Sequence, residues 1–412
     1  MPKIQITARG IRAALKKFSP YQSIAEYIWN GFDANASEIR IDFISDEIGN
    51  LSSLSISDNG YGIDHAKLQE KFEPMFESKK ALENKLKQHR SALHGKNGIG
   101  RLTFFVFARS AIWQTTYAKS NGNATYDIFA NAENINFYTG LNATPKTTNK
   151  PMGTTVTFTG IHSLTGFQLN EKFEEFLRKE FAWFLKLNKY RDFSIKINGK
   201  ALDYDAAIAD TEDFQIVHEK TGTVFDVTYV RWGERSGNEL SKYYYIDSTG
   251  HEKWKEASSA KNRGESFHHS VFIRSQYFDS FSFQSEPQDG QETIIGGTRA
   301  DAQFRLMRRK IANFLRIKRR PFLKDFAQKL VEEYRSQEII NSSNELLDRT
   351  IRTLYEMQPR FFLGLKSEQK KLLTNLLSNI ISSNSKSALL VIIENIVELN
   401  DEEREELKKL LA

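Results

Sequence analysis

The sequence predicts an α+β protein in three parts, and three observations carry that reading. A helix signal over residues 19–35 is followed by two strand-like runs, Glu38–Phe43 and Leu51–Ser57. Helix and strand patterns then alternate to about residue 335. From residue 336 onwards the pattern is almost wholly helical.

The first helix starts at Ser19-Pro20, because serine caps a helix and proline is favoured in its first turn. A polar turn at Ser45–Asn50 joins the two strand runs. Residues 67–96 are charged and irregular, with Pro74 interrupting them, and Leu102–Ala108 reads as an apolar helix. Further strands and Gly/Asn turns lead to the β-branched run Thr154–Thr159. The second part opens with an aromatic-rich amphipathic helix, Asn170–Leu187. Strand signals follow at Phe193–Asn198, Val224–Trp232, Lys242–Asp247 and Ser270–Ser275. A basic helix from about Ala300, broken at Pro321, closes it. The third part includes helices at Glu368–Ile381, Lys386–Leu399 and Asp401–Leu411. The expected domains are residues 1–165, 166–335 and 336–412.

The 412 residues are 40% hydrophobic and 27% charged, an ordinary globular balance. No stretch approaches the roughly 18 apolar residues of a membrane span, and the N-terminus lacks the apolar core of a signal peptide. The absence of cysteine excludes disulfides, thiolate metal sites and cysteine nucleophiles. A cytoplasmic location is the expectation. The net charge of +6 permits nucleic-acid contact but equally suits a lysine-rich solvated surface.

Three short constellations carry chemistry. In YQSIAEYIWNGFDANAS, helical spacing places Glu26, Asn30 and Asp33 in a stripe about 60° wide. Trp29 and Phe32 flank the stripe, so the helix reads as largely buried, and Gly31 in its middle suggests a close neighbour. A solvent face is the competing reading. In LSSLSISDNGYGID, strand alternation puts Leu54, Ile56 and Asp58 on one side, with the carboxylate ending an apolar row. Asn59, Gly60 and Gly62 then form a tight turn, which is a common turn sequence in its own right. In HGKNGIGRLTFFVFA, glycines at 95, 98 and 100 precede an apolar helix, and Lys96 and Arg101 add charge. Such a loop can bring backbone N–H groups to phosphates, yet it matches neither of the common phosphate-loop patterns.

Together and in this order, the three resemble the motifs of the GHKL superfamily: DNA gyrase, the heat-shock-90 chaperones, histidine kinases and MutL. The E-x-x-x-N motif corresponds to Glu26 through Asn30, with Asp33-Ala34 after it. The D-x-G-x-G motif corresponds to Asp58, Gly60 and Gly62, followed by Ile63. The glycine motif corresponds to Gly95, Lys96, Asn97, Gly98, Ile99 and Gly100, and a G-T pair opening a strand to Gly153-Thr154. The resemblance covers residues 1 to about 165. It implies a Bergerat-type sandwich of helices on a mixed sheet, followed by an α/β transducer domain and a helical C-terminal region.

The resemblance implies Mg²⁺-dependent ATP hydrolysis. Asn30 would bind Mg²⁺, Asp58 would accept from the adenine amino group with Thr154 supporting it, and residues 95–100 would cradle the phosphates. Glu26 would act as general base, and residues 72–94 would form a lid. Lys79, in a stretch similar to the S-x-K of MORC-like and heat-shock-90-like members, is a further binding candidate, although a surface-loop reading suits it equally. A histidine kinase is not expected, since only about 19 residues precede the module and the hydrolytic Glu is present. Transducer domains of the other branches send a Lys or Arg to the γ-phosphate, and Arg274 and Arg299 are the candidates here. An ordinary surface salt bridge is the alternative for each.

Residues 301–335 hold eleven Lys/Arg against four Asp/Glu. That stretch could contact DNA, or be a solvated face with its apolar side packed inward. Two functions are therefore expected of the sequence. One is an ATP-dependent homodimeric switch acting on nucleic acid, for which bacterial DNA maintenance or anti-phage defence and an effector domain beyond residue 412 are the expectations. The other is a chaperone-like scaffold that controls protein partners.

Overall fold

The computed structural model describes residues 8–72, 100–134, 137–234, 239, 241–258, 260, 267–281, 283, 297–340, 344–362, 364–383, 386–396, 399 and 401–411. It divides into two compact units. The first comprises Met1–Gln215, Asp226–Glu256 and His269–Phe283; the second comprises Ile216–Phe225, Ala257–His268 and Gln284–Ala412.

The first unit starts with α1 (Ala8–Leu15) and α2 (Pro20–Asp33). The serine hydroxyl of Ser19 accepts from the Gln22 amide, and Gln22 Oε1 accepts from the Ser19 amide at 2.9 Å, which completes the expected cap. β1 (Glu38–Ser45) and β2 (Leu51–Asp58) follow, then α3 (Leu68–Phe72). Where Leu102–Ala108 reads as an apolar helix, the structure has a 3₁₀ helix over Gly100–Val106. The run Thr103-Phe104-Phe105-Val106 consists of β-branched and aromatic residues, which favour the α-helix weakly. Thr103 further draws its hydroxyl onto the Gly100 carbonyl, 2.7 Å away.

β3 (Ser110–Lys119), β4 (Gly122–Asn131), β5 (Lys146–Thr148) and β6 (Gly153–Thr159) come next. The expected helix Asn170–Leu187 is two helices, α4 (Gly166–Glu171) and α5 (Phe173–Leu187). Lys172 turns the chain between them, and Phe173 and Phe176 then both meet Tyr21 at 5.4 Å. β7 (Ser194–Ile197) and β8 (Lys200–Ala201) complete an eight-stranded sheet of order β5-β4-β3-β6-β2-β1-β7-β8. β1 and β7 run parallel, whereas β1, β2, β6, β3 and β4 pair antiparallel with their neighbours. The sheet is buried on one face through Ile39, Ile41, Leu54, Ile56, Val156 and Phe158. On α5, Phe181 and Phe184 enclose Trp29 of α2 at ring distances of 4.5 and 5.0 Å. Burial of each such ring stabilises the fold by about 2–3 kcal/mol.

A second, mixed sheet follows, formed by β9 (Ile208–His218), β10 (Thr223–Trp232), β11 (Lys242–Ile246), β12 (Glu252–Ala257) and β13 (His269–Arg274). Its order is β12-β11-β13-β10-β9, with β11 parallel and β10 antiparallel to β13.

The second unit is built on helices: α6 (Ala302–Arg319), α7 (Lys324–Ser336), α8 (Glu345–Met357), α9 (Ser367–Ser382), α10 (Lys386–Ile396) and α11 (Asp401–Leu411). Pro321, which cannot donate to the helical ladder, sits in the 3₁₀ turn Arg320–Leu323 between α6 and α7. One apolar cluster joins α7 through α11, including Val331, Ile351, Leu377, Ile393 and Leu407. Among the described residues, no helix is long and apolar enough to cross a membrane.

Candidate functional site

From Ser23 onwards, α2 buries every residue except Glu26, Asn30 and Asp33, which are half-buried on one side. The stripe is thus the accessible edge of an otherwise enclosed helix. Gly31 is where α2 meets β2: a Cβ there would lie 2.4 Å from Ile39 Cδ1 and 3.0 Å from Asp58 Cβ. Only glycine permits that approach.

Asp58 ends β2, opposite Thr154 of β6 in the ladder. Its Oδ1 accepts from the Gly60 amide at 2.8 Å. Burial pushes its carboxyl up to about 6, against the pull of the Gly60 and Thr154 amides. The turn at Asp58–Gly62 is tied to the end of α2 and the start of β1. The Tyr61 amide donates to the Ala34 carbonyl at the end of α2 (3.0 Å), and Asn59 Oδ1 accepts from the amides of Ser37 and Glu38 (2.9 and 3.0 Å). Gly62 has φ +70°, and a Cβ on it would lie 2.1 Å from the Thr116 carbonyl. Gly153 has φ +145° and passes equally close to the Asp58 carbonyl, with a Cβ distance of 2.2 Å.

The hydroxyl of Thr115 holds the far side of this turn. It accepts from the Ile63 amide at 2.9 Å and lies 3.0 Å from the Thr154 hydroxyl. Sequence reasoning missed Thr115. A fully buried hydroxyl on β3 betrays it only once burial is known.

The end of the glycine motif sits at the other end of the stripe. A Cβ on Gly100 would lie 2.6 Å from Glu26 Oε2. The Tyr27 hydroxyl donates to the Arg101 carbonyl (2.7 Å) and the Thr103 hydroxyl to the Ser23 carbonyl (3.1 Å), so α2 itself fixes where the loop ends. Arg101 lies over the Phe72 ring at 5.4 Å, and burial lowers its guanidinium to about 10, still charged at neutral pH. The structure therefore brings Glu26, Asn30, Asp33, Ala34, Asp58, Gly60, Gly62, Ile63, Thr154, Gly100 and Arg101 around α2. Lys79, Gly95, Lys96, Asn97, Gly98 and Ile99 lie outside the described residues.

Residues 18–154 match the family model described as "Histidine kinase-, DNA gyrase B-, and HSP90-like ATPase". Over those residues the fold is that of the GHKL ATPases. No curated protein matches the sequence. Two solved structures of the ATPase region of Saccharomyces cerevisiae topoisomerase II, one bound to ICRF-187 (dexrazoxane), align at 13% identity. Their TM-scores are 0.34 and 0.35, over 62% of this chain and 72% and 73% of theirs.

Arg274, one of the two arginine candidates, lies outside the cluster around α2. Arg274 lies over the Tyr190 ring at 4.7 Å and donates to the Ser248 carbonyl at 3.3 Å; neither partner belongs to the cluster around α2. Arg299 belongs to the second unit. Within the basic stretch, Arg316 pairs with Glu403, and Arg320 with Glu406 and Glu356. Arg305, Arg309 and Lys310 are exposed. Among the described residues, no group of three or more His, Cys, Asp or Glu is placed to hold a metal.

Proposed function

We propose that the first unit binds ATP with Mg²⁺ along the Glu26–Asn30 edge of α2 and hydrolyses it, so that the protein acts as a nucleotide-driven switch. The observation that carries this is the pairing of two chemistries along one edge of α2, one from the helix and one from the end of β2. Asp58, at one end, has a carboxylate with acceptor capacity beyond its backbone amides. An adenine amino group suits it, because a buried carboxylate gains most from a specific donor. Glu26, at the other end, abuts the end of the glycine motif. A carboxylate there is suited to orient and deprotonate a water at a phosphate.

Bound Mg²⁺ would supply charge neutralisation at the phosphates. It keeps several waters and takes few protein ligands, so the Asn30 amide oxygen with phosphate oxygens is a fitting set. The bare glycine at 100 lets the end of the motif pass directly against the Glu26 carboxylate, where a Cβ would lie 2.6 Å from Oε2.

The reading includes dimerisation with ATP and action on nucleic acid through the exposed Arg305, Arg309 and Lys310. A second reading, a chaperone-like switch on protein partners, is favoured by the acids that engage Arg316 and Arg320, since these leave a smaller basic surface. Mg-ATP hydrolysis by the purified protein and by Glu26→Ala, with and without duplex DNA, tests both. Turnover that needs Glu26 and rises with DNA supports the nucleic-acid switch, whereas Glu26-dependent turnover indifferent to DNA supports the second reading. Hydrolysis unchanged in Glu26→Ala would overturn the general-base role.

A further inference from the structure

Trp29 lies between the two proposed chemical residues of α2, three positions after Glu26 and one before Asn30. Its ring is 4% exposed and packed among Phe181, Phe184 and Trp183 of α5, so α2 cannot rotate without moving it. The indole N–H donates to Glu180 Oε1 at 3.3 Å. A bond this long depends strongly on the acceptor's charge, since an ionised acceptor binds roughly twice as strongly as a neutral one.

The charge on Glu180 is contested. Burial raises its carboxyl, the Trp29 indole lowers it and the neighbouring charge of Glu239 raises it again. Glu239 in turn is clasped by Lys242 of β11 at 2.7 Å and by Lys255 of β12 at 3.1 Å. The Tyr244 hydroxyl donates to the same carboxylate at 3.1 Å. Burial alone would raise Glu239, but Lys255 and Lys242 outweigh it and hold the group ionised. Lys255 also lies over the Trp183 ring at 5.4 Å, and Tyr244 stacks on that ring at 5.7 Å. On α5, Arg178 is engaged by Glu174 and Lys179 by Glu175 and Glu234, while buried Glu252 of β12 faces Lys255 and Glu239. All these groups belong to the first unit.

We infer that Glu180 is a positioning residue that holds α2 through Trp29, and that the lysines of β11 and β12 set the strength of that hold by neutralising Glu239. When the lysines screen Glu239, Glu180 stays ionised and grips the indole. When strands β11 and β12 shift and the screen weakens, Glu239 repels a second negative charge, Glu180 takes up a proton and the grip relaxes. The second sheet thereby acts on the alignment of Glu26 and Asn30 without touching nucleotide. The inference rests on the proposed reading of α2 as the nucleotide helix.

The test is a double-mutant cycle in the full chain with Lys255→Met, Glu180→Gln and both together, read by steady-state Mg-ATP hydrolysis. K255M is expected to lower kcat about 5-fold with KM for ATP changed less than about 2-fold, since small misalignments act on the chemical step. E180Q fixes the acceptor as neutral, so adding K255M to it should lower kcat no further. Lys255→Arg keeps the charge and should restore wild-type turnover. Equal losses from K255M in both backgrounds, or a K255R as damaged as K255M, would overturn the inference. Hydrogen exchange of the α2 amides without nucleotide separates this inference from the ATPase reading. K255M should speed exchange across residues 25–33, and not do so in the E180Q background. If the wild type proved unable to use ATP, that exchange result would still decide the latch, with equal acceleration in both backgrounds counting against it.

Discussion

Gly31 and Asp58 are in contact across the α2–β2 junction, so closely that a methyl group on the glycine would lie 3.0 Å from the aspartate Cβ and 2.4 Å from Ile39 Cδ1. Gly31→Ala therefore pits two effects against each other. Alanine gains about 1 kcal/mol in helix propensity over glycine. Overpacking a filled core costs about 1–3 kcal/mol, and Ile39 is fully buried with little room to yield. The expected outcome is a lower urea midpoint and a weaker ATP affinity by roughly tenfold, because the shift falls on the carboxylate proposed to meet the base. Unaltered midpoint and affinity, by denaturation and calorimetry, would mean the junction is slack.

With Asp58 as the proposed acceptor of the adenine amino group, its carboxyl, raised to about 6 by burial, would make nucleotide binding and proton binding compete. A donor from adenine favours the ionised form, so binding lowers this value and expels a proton below pH 6. Affinity should fall as the pH drops through 6 and be flat above about 7.5. The direct check is the carbon-13 titration of the Asp58 carboxyl by NMR, with a midpoint near 6 without nucleotide and a lower one with it. A midpoint that nucleotide does not move would remove Asp58 from the base contact.

Glu252 on β12 makes a separate pH prediction, about folding. Burial lifts its carboxyl from 4.5 to about 7, Lys255 pulling it back and Glu239 pushing it further. Neither carboxylate oxygen has a hydrogen-bond partner among the described residues. Between those two values the folded protein holds a proton that the unfolded chain has lost. The stability this group contributes is therefore complete below 4.5 and lost as the pH rises through 7, on the order of 2–3 kcal/mol. The urea midpoint should decline between about pH 4.5 and 7, and Glu252→Gln should flatten that decline. An equally steep decline in the variant would place the charge elsewhere.

Much of this site could be read in the sequence because its signals are local. The Ser19-Pro20 start, the Glu26/Asn30/Asp33 stripe and the mid-helix Gly31 follow from helical geometry, and the alternation Leu54, Ile56, Asp58 from the strand period. Thr115 could not be found this way. Its role comes from pairing between β3 and β6, which brings its hydroxyl to Thr154 across 39 positions. β9 and β12 escaped for a related reason: IADTEDFQIVH and EKWKEA are rich in charge, and their strand form depends on neighbours in the second sheet. The network on Glu239 was equally invisible, because Lys242 and Lys255 converge on it from two different strands.

The basic stretch 301–335 divides into two kinds of cation, and substitution should separate them. Arg316 is 12% exposed and bonded to both carboxylate oxygens of Glu403, which is itself 2% exposed. Removing the guanidinium leaves a buried carboxylate without its main counter-charge, a change that costs about 3–5 kcal/mol in comparable pairs. Arg316→Ala should thus lower the stability of the helical unit steeply and act on any nucleic-acid affinity only through folding. Arg305 and Lys310 are exposed on α6, where charge contributes little to stability. Arg305→Ala with Lys310→Ala should leave the thermal midpoint within about 1 °C. If this surface holds phosphates, the same double variant should weaken duplex binding and reduce the slope of log affinity against log salt by about 2. Fluorescence anisotropy across a salt series reads both quantities. A variant with unchanged slope would assign these cations to solvent and favour a protein client over DNA.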